Sequence, residues 1–516
     1  MTRIDIALIA HTNVGKTSLA RTLLRKDIGR VIDETHVTET ADPHLMVGTG
    51  EKDELWLWDT PGMSDSARLL ARLRRSGDPI GWLLTQVWDR FTNRAFHSSQ
   101  LAIRTVRDHC DVVLYLTNAA EGPGSSGYVD IEMQILEWMR KPTLVLLNQT
   151  GRPQAPEAER RDEAAWQDRL SEFPWVRKVL SLDAFARCWI QEDELLASVE
   201  QCLTPEKRDA MAKLRGQWTL RNLQVFEDSM AAIARLLAAA AVDFEKVPDK
   251  NWWQKIRRWL PGRPIDPVVT EAMDRLANRL DAALRDCIDE LIRLHGLSGS
   301  AAEAISARVA EQHQLDGPAD PAQAGVVGAV LGGALGGLAA DVAAGGVTLG
   351  AGALVGGVLG LLGATGAAKA YNAARGGNDG RVRWSPEFLS ERVETATLKY
   401  LAVAHFGRGR GEWVESEYPP HWREFVAETL SPYKEPLEKI WKKAQSRDRP
   451  SSGGPPQPLV RVLEAIVADV VTDVLKTLYA EAAFVFDARG RLGRRSLLTA
   501  AARSAGHPRE FSRDSV

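Results

Sequence analysis

The chain has 516 residues, of which 44% are hydrophobic and 26% charged, with a formal net charge of -3. This composition excludes wholesale disorder, and a norm of about 150 residues per domain suggests two to four domains. Near-neutral charge argues against a dominant nucleic-acid-binding surface. The four widely spaced cysteines, Cys110, Cys188, Cys202 and Cys287, form neither a disulfide scaffold nor a metal-like cluster.

The opening MTRIDIALIAHTNVGK has no charged segment followed by an apolar one, so it does not read as a secretory signal and the chain is expected to start in the cytosol. Residues 1–203 alternate short apolar runs with helical patterns. Strands are predicted at 4–9, 55–58, 112–116 and 143–147, with a weaker one at 176–182, and a helix at 17–24. That alternation predicts a doubly wound, mostly parallel α/β sheet. Residues 63–109 read as a helical insertion whose Trp82, Trp88 and Phe91 serve packing.

Beyond residue 204 the strand patterns stop, and amphipathic helices are predicted at 208–242, 268–294, 386–405, 422–445 and 459–486, giving an all-α half. Residues 447–458, RDRPSSGGPPQP, are a linker by composition. The expected units are 1–203, a helical region at 204–323, a Gly/Ala-rich hairpin at 324–372, a second helical region at 373–488, and a flexible basic tail at 489–516.

The Gly-rich core of that hairpin, residues 324–368, contains one ionisable side chain, Asp341. It is long enough for two spans of the roughly 17–25 residues a bilayer crossing needs. Gly328, Gly332 and Gly336 recur every four residues, as do Gly352, Gly356 and Gly360, a spacing that lets helix backbones approach closely. A buried helical hairpin in a water-soluble fold is the other reading. The segment NWWQKIRRWL at 251–260 would place Trp252, Trp253, Ile256, Trp259 and Leu260 on one helix face and basic residues on the other. This suits a headgroup layer and packing against a neighbouring helix equally well. Lys369, Arg375, Arg381 and Arg383 read as a cytosolic flank.

The chemistry concentrates near the N-terminus. Residues 10–17, AHTNVGKT, follow a strand, open a helix and have the spacing of a phosphate-binding loop, with Ala10 at the place of its first Gly. Backbone N–H groups around Asn13, Val14 and Gly15 and the first turn at Thr17 and Ser18 would cradle phosphates. Lys16 would place a cation on them, and the Thr17 hydroxyl would ligate Mg²⁺. After the predicted strand ELWLW comes Asp59-Thr60-Pro61-Gly62, where Asp59 would hold Mg²⁺ and the Gly62 N–H would meet the γ-phosphate. Between the two motifs Thr35, Thr38 and Thr40 could each close over the metal, and spacing favours Thr38.

With these two motifs the first 200 residues resemble the bacterial small GTPases of the Era and TrmE type, within the translation-factor-related class. The pairing with a long helical half resembles bacterial GTPases whose C-terminal domain has no assigned function. The resemblance implies GTP/GDP as ligands, Mg²⁺ as cofactor and catalytic roles for Lys16, Asn13 and Gly62. It also implies a K⁺ ion at Asn13, and a homodimer through the GTPase domain is a further expectation. The base-recognition sequence departs from the family's Asn-Lys-x-Asp. It reads Asn148-Gln149-Thr150-Gly151, followed by Ser181-Leu182-Asp183-Ala184 at the second base loop. Gly151 brings no carboxylate, so guanine specificity is open unless Asp183 or another group substitutes. Met63 stands where other switch GTPases carry a water-positioning Gln, so slow hydrolysis is expected.

The expected function is a nucleotide-dependent switch or mechanoenzyme in the cytoplasm at the inner membrane, with lipid as a partner and no nucleic acid. The alternative is a soluble regulatory or scaffold protein with a degenerate nucleotide domain.

Overall fold

A computed structural model describes residues 2–26, 41–50, 53–79, 81–82, 94–151, 154–184, 186–247, 267–297, 371–376, 379–406, 419–446 and 454–487. The hairpin at 324–368, the segment 251–260, Thr35, Thr38, Thr40, Trp88, Phe91 and the tail at 489–516 lie outside these residues.

The first run, β1 (Arg3–Ala10), is apolar almost without interruption because both its faces are covered. Ile4, Ile6 and Leu8 join one buried cluster, while Ala7 and Ile9 join the cluster on the opposite face. The chain then makes α1 (Lys16–Leu24), β2 (Asp42–Gly48), β3 (Glu54–Asp59), α2 (Ser66–Leu73) and α3 (Arg94–His109). It continues through β4 (Val112–Asn118), α4 (Gly127–Glu137), β5 (Thr143–Asn148), α5 (Pro156–Arg169), β6 (Val176–Ser181) and α6 (Trp189–Cys202). The sheet order is β2-β3-β1-β4-β5-β6. All pairings are parallel except the edge pair β2–β3. This is the doubly wound sheet that the alternation predicts, with an edge strand added at Asp42–Gly48.

The second half is largely helical. Its spine is α7 (Pro205–Val242), 38 residues and therefore ~57 Å long at 1.5 Å per residue. Ala210, Met211, Leu214 and Trp218 near its start complete a face of the sheet domain. Residues from Leu223 onward enter a separate core with α8 (Pro267–Leu294), α9 (Pro386–Ala404), α10 (Pro420–Leu430), α11 (Lys434–Gln445) and α12 (Gln457–Leu478). One rigid helix thus belongs to both cores. The expected helix at 422–445 is broken by a single turn at Ser431–Tyr433, where Pro432 cannot donate a backbone hydrogen bond.

Strands do return after residue 204. The short runs β7 (Phe244–Val247), β8 (Tyr371–Gly376) and β9 (Asp379–Trp384) form an antiparallel sheet in the order β7-β9-β8. This revises the reading of Arg381 and Arg383 as a basic flank. Both guanidinium groups lie over the Phe244 ring, and buried Arg383 donates to the Gln445 carbonyl. They are part of the fold.

Candidate functional site

The turn between β1 and α1 requires backbone that most residues avoid. Asn13 has φ +67° and Gly15 +94°. Only Gly adopts the second without steric cost, and a Cβ there would stand 2.6 Å from Asn148 Nδ2. That amide donates to the Val14 carbonyl at 2.6 Å, tying the end of β5 to the turn. The Asn148 carbonyl oxygen accepts from Ala184 N at 2.7 Å, so one buried side chain fastens three loops.

Lys16 opens α1 with its side chain buried, and among the described residues it makes no hydrogen bond and no ion pair. Burial pulls its pKa down, against the opposing fields of Asp59 and Glu132. The Thr17 hydroxyl donates to Asp59 Oδ2 at 2.8 Å. Asp59 Oδ1 is buried with no hydrogen-bond partner among the described residues, and burial raises the Asp59 pKa despite Lys16. An orphaned carboxylate oxygen beside a hydroxyl is a hard-oxygen donor pair that fits Mg²⁺, whose charge would neutralise phosphate oxygens.

Gly62 closes the other side. A Cβ on it would lie 3.0 Å from Thr12 Cα, 3.1 Å from Thr12 Oγ1 and 3.2 Å from Lys16 Nζ. The next residue, Met63, is fully buried, and its N–H donates to the Ala10 carbonyl at 2.9 Å. Its thioether therefore belongs to the core.

The structure thus gathers Asn13, Val14, Gly15, Lys16, Thr17, Asp59, Gly62 and Asn148 around one helix N-terminus, an arrangement suited to a polyphosphate. Ser18 is buried in the first turn of α1. Gln149 reaches back toward the Asn13 carbonyl at 3.5 Å. Ser181 donates its N–H to Glu163 Oε1 at 2.6 Å. Thr38 lies outside the described residues.

Over more than half of the chain, residues 175–471, the sequence matches the family described as a domain of unknown function, DUF3482. The chain belongs to the DUF3482 family. Residues 5–149 of this DUF3482 protein match the family described as 50S ribosome-binding GTPase, and the N-terminal domain has the P-loop GTPase fold. Among solved structures it is similar to Era bound to MgGDPNP and a segment of 16S ribosomal RNA. Identity there is 15% over 40% of this chain and 58% of Era, with a TM-score of 0.29. An Aquifex aeolicus Era variant bound to GDP and AlF4⁻ gives 14% identity over 57% of this chain and 99% of that one, TM-score 0.29. The FeoB G-domain of Methanococcus jannaschii gives 15% over 42% and 99%, TM-score 0.21. The DUF3482 protein spans 58% of the Era chain in the RNA complex. No curated protein matches it.

The loops at 148–151 and 181–184 are joined by one carboxylate. Asp183 Oδ2 accepts from Thr150 N at 2.7 Å, Thr150 Oγ1 at 3.0 Å and Gly151 N at 3.3 Å. Asp183 is buried, and this oxygen braces the loop that lacks the family's carboxylate. Thr150 and Ser181 also line a cavity of about 110 Å³ with Glu159 and, from the helical half, Trp422 and Tyr479.

Sequence reasoning missed a second cluster. Glu132 of α4 is fully buried and takes Ser66 Oγ at 2.5 Å and Tyr115 OH at 2.7 Å, with His11 Nδ1 at 2.8 Å. It links the phosphate-loop turn to the first residue of α2. Nothing in the pattern of α4, GYVDIEMQILE, separates this Glu from a surface one, although a His inside the loop is an unusual letter.

His405, in the helical half, serves the fold. Burial pushes His405 down to about 4, and its ring sits between the Leu401 carbonyl and Tyr479 OH.

Proposed function

We propose that the protein binds GTP with Mg²⁺ at the N-terminus of α1, hydrolyses it slowly, and uses the nucleotide state to move its helical half at the cytoplasmic face of the inner membrane. The observation that carries the nucleotide site is the buried Lys16 ammonium, which makes no hydrogen bond among the described residues, in the field of Asp59, whose Oδ1 has no hydrogen-bond partner among them. Such a pair is costly in an empty fold and becomes useful when a Mg²⁺–phosphate complex satisfies both. Lys16 would contact the β- and γ-phosphates, Thr17 and Asp59 would hold the metal, with Thr38 closing over it. Gly62 N–H would meet the γ-phosphate, and Asn148, Gln149 and Ser181 would border the base.

Coupling to the helical half is supported by Arg25, directly after α1. Its Nη2 lies 2.5 Å from Asn222 Oδ1 on α7 and 3.4 Å from Glu192 Oε2 on α6. A shift of the residues following α1 would load that contact. Membrane attachment rests on the composition of residues 324–368, because among the described residues no helix is long and apolar enough to cross a bilayer. A K⁺ at Asn13 and pairing of two GTPase domains are the readings for how a site without a catalytic Gln is completed.

The test is to rank affinities for GTP, ATP and XTP, and to wash cell membranes with high salt and carbonate. GTP ahead of ATP, with protein retained in the washed membranes, is expected. Equal affinities overturn guanine use, and fully soluble protein overturns the membrane role. Faster turnover in KCl than in NaCl, lost in Asn13→Ala, is expected for the cation.

A further inference from the structure

Hydrolysis of the γ-phosphate needs an attacking water held in line, and position 63 cannot hold it. The Met63 side chain is in the core and its N–H is spent on Ala10. Two hydroxyls occupy the neighbourhood instead. Thr12 Oγ1 lies 2.9 Å from Ser64 Oγ and 3.3 Å from the Met63 carbonyl. Thr12 Oγ1 and Lys16 Nζ stand 3.1 and 3.2 Å from one point, the place a Cβ of Gly62 would take. The Thr12 hydroxyl is therefore beside the space that the Lys16 ammonium faces, where the terminal phosphate would end.

This hydroxyl pair is braced from both sides. The Ser64 N–H donates to Ser99 Oγ at 3.4 Å, and that hydroxyl donates back to the Ser64 carbonyl at 3.3 Å. His11, the residue before Thr12, and Ser66, two residues after Ser64, meet on the same buried oxygen of Glu132. Polar groups fixed in advance by their surroundings are those that stabilise a transition state at low reorganisation cost.

We propose that the Thr12 and Ser64 hydroxyls orient the attacking water in place of a switch glutamine, with Glu132 as the positioning residue beneath them. The inference rests on the GTP-hydrolysis reading above. In the step, the water oxygen forms a bond to Pγ and the bond from Pγ to the β–γ bridging oxygen breaks. The bond pair leaves on the β-phosphate of GDP, and the water proton passes to a γ-phosphate oxygen and then to solvent. The hydroxyls take no net proton. With Thr12 Oγ1 donating to the Met63 carbonyl and Ser64 Oγ donating to Thr12 Oγ1, each oxygen keeps a lone pair that accepts a hydrogen bond from the water, which a hydroxyl can do and a methyl cannot.

The experiment is single-turnover GTP hydrolysis at saturating protein, with GTP affinity measured separately, for wild type, Thr12→Val, Thr12→Ser, Ser64→Ala and Lys16→Ala. Val keeps the shape of Thr and removes the hydroxyl. Thr12→Val is expected to slow the step by about 10–100-fold with affinity within about threefold, a loss in the range of one positioned polar group. Thr12→Ser restores most of the rate, and Ser64→Ala is slowed less than Thr12→Val. A Thr12→Val protein that turns over at the wild-type rate, or a Thr12→Ser protein as slow as Thr12→Val, overturns the assignment and leaves the GTPase reading standing. Wild type that binds GTP no better than Lys16→Ala, or never turns it over, overturns both.

Discussion

Replacing Glu192 by Ala removes an anion shared by two arginines that folding has taken out of water. Arg187 Nη1 lies 2.6 Å from Glu192 Oε1 and Arg25 Nη2 lies 3.4 Å from Oε2, and the side chains are 8%, 10% and, for the glutamate, 0% exposed. Trp218 Nε1 also donates to Oε2 at 3.0 Å. Burial lowers the Arg187 pKa, and Glu192 opposes that pull. Deleting one partner of a buried ion pair costs ~3–5 kcal/mol. Two cations lose this anion here, which points to the upper end. However, Arg187 keeps the Thr22 carbonyl at 2.9 Å and Arg25 keeps Asn222, which soften the loss. The expected cost of Glu192→Ala is therefore about 4 kcal/mol. Glu192→Gln leaves Trp218 an acceptor but no charge and should cost about half as much. Urea unfolding followed by tryptophan fluorescence and circular dichroism measures both, with an unchanged slope marking a true stability change. A Glu192→Ala protein within about 1 kcal/mol of wild type would refute the reasoning that this anion holds the two halves together.

Two further changes test the site and its surroundings. Gly15→Ala combines strain at φ +94° with a Cβ 2.6 Å from Asn148 Nδ2, so calorimetric titration should show GTP affinity reduced at least about tenfold, with only ~1–2 kcal/mol lost in stability. Burial, together with Glu163, Glu194 and Glu481, raises the Glu159 pKa to about 7, against the weaker pull of Arg160. The unfolded chain then releases this proton first, so stability is full below the ordinary carboxylate range and falls as pH rises toward 7. Glu159→Gln should match wild type near pH 4.5 and exceed it by about 1–2 kcal/mol at pH 8, after allowance for solvent screening; equal melting at both pH values would contradict the shift.

The phosphate-loop half of this site was legible because its chemistry dictates spacing. Gly15 and Lys16 must follow a strand and open a helix, and Asp59 must end the strand beside it, so sequence position alone placed them together. The central strands were legible because β1, β4 and β5 are buried on both faces and therefore mostly apolar. The edge strand Asp42–Gly48 was not, since it is largely exposed and carries Pro43, tolerated only at an edge. The small sheet was hidden for another reason. Phe244–Val247 pairs with a strand more than a hundred residues away, and four residues carry too little alternation to announce it. Glu132, Thr12 and Ser64 escaped because hydroxyls and a lone Glu acquire meaning only from what the fold sets against them.

The central claim is that Lys16 is held ready for phosphate, and the most direct measurement is titration of Mg²⁺ and a non-hydrolysable GTP analogue into wild type and Lys16→Ala. A hydrogen bond to a charged group contributes ~1.5–3 kcal/mol, so the variant should lose about ten- to a hundredfold or more in affinity. Because Lys16 has no hydrogen-bond partner among the described residues and burial depresses its pKa, its removal should leave circular dichroism unchanged and the melting temperature equal or higher. A folded Lys16→Ala protein that binds the analogue as tightly as wild type would contradict the account.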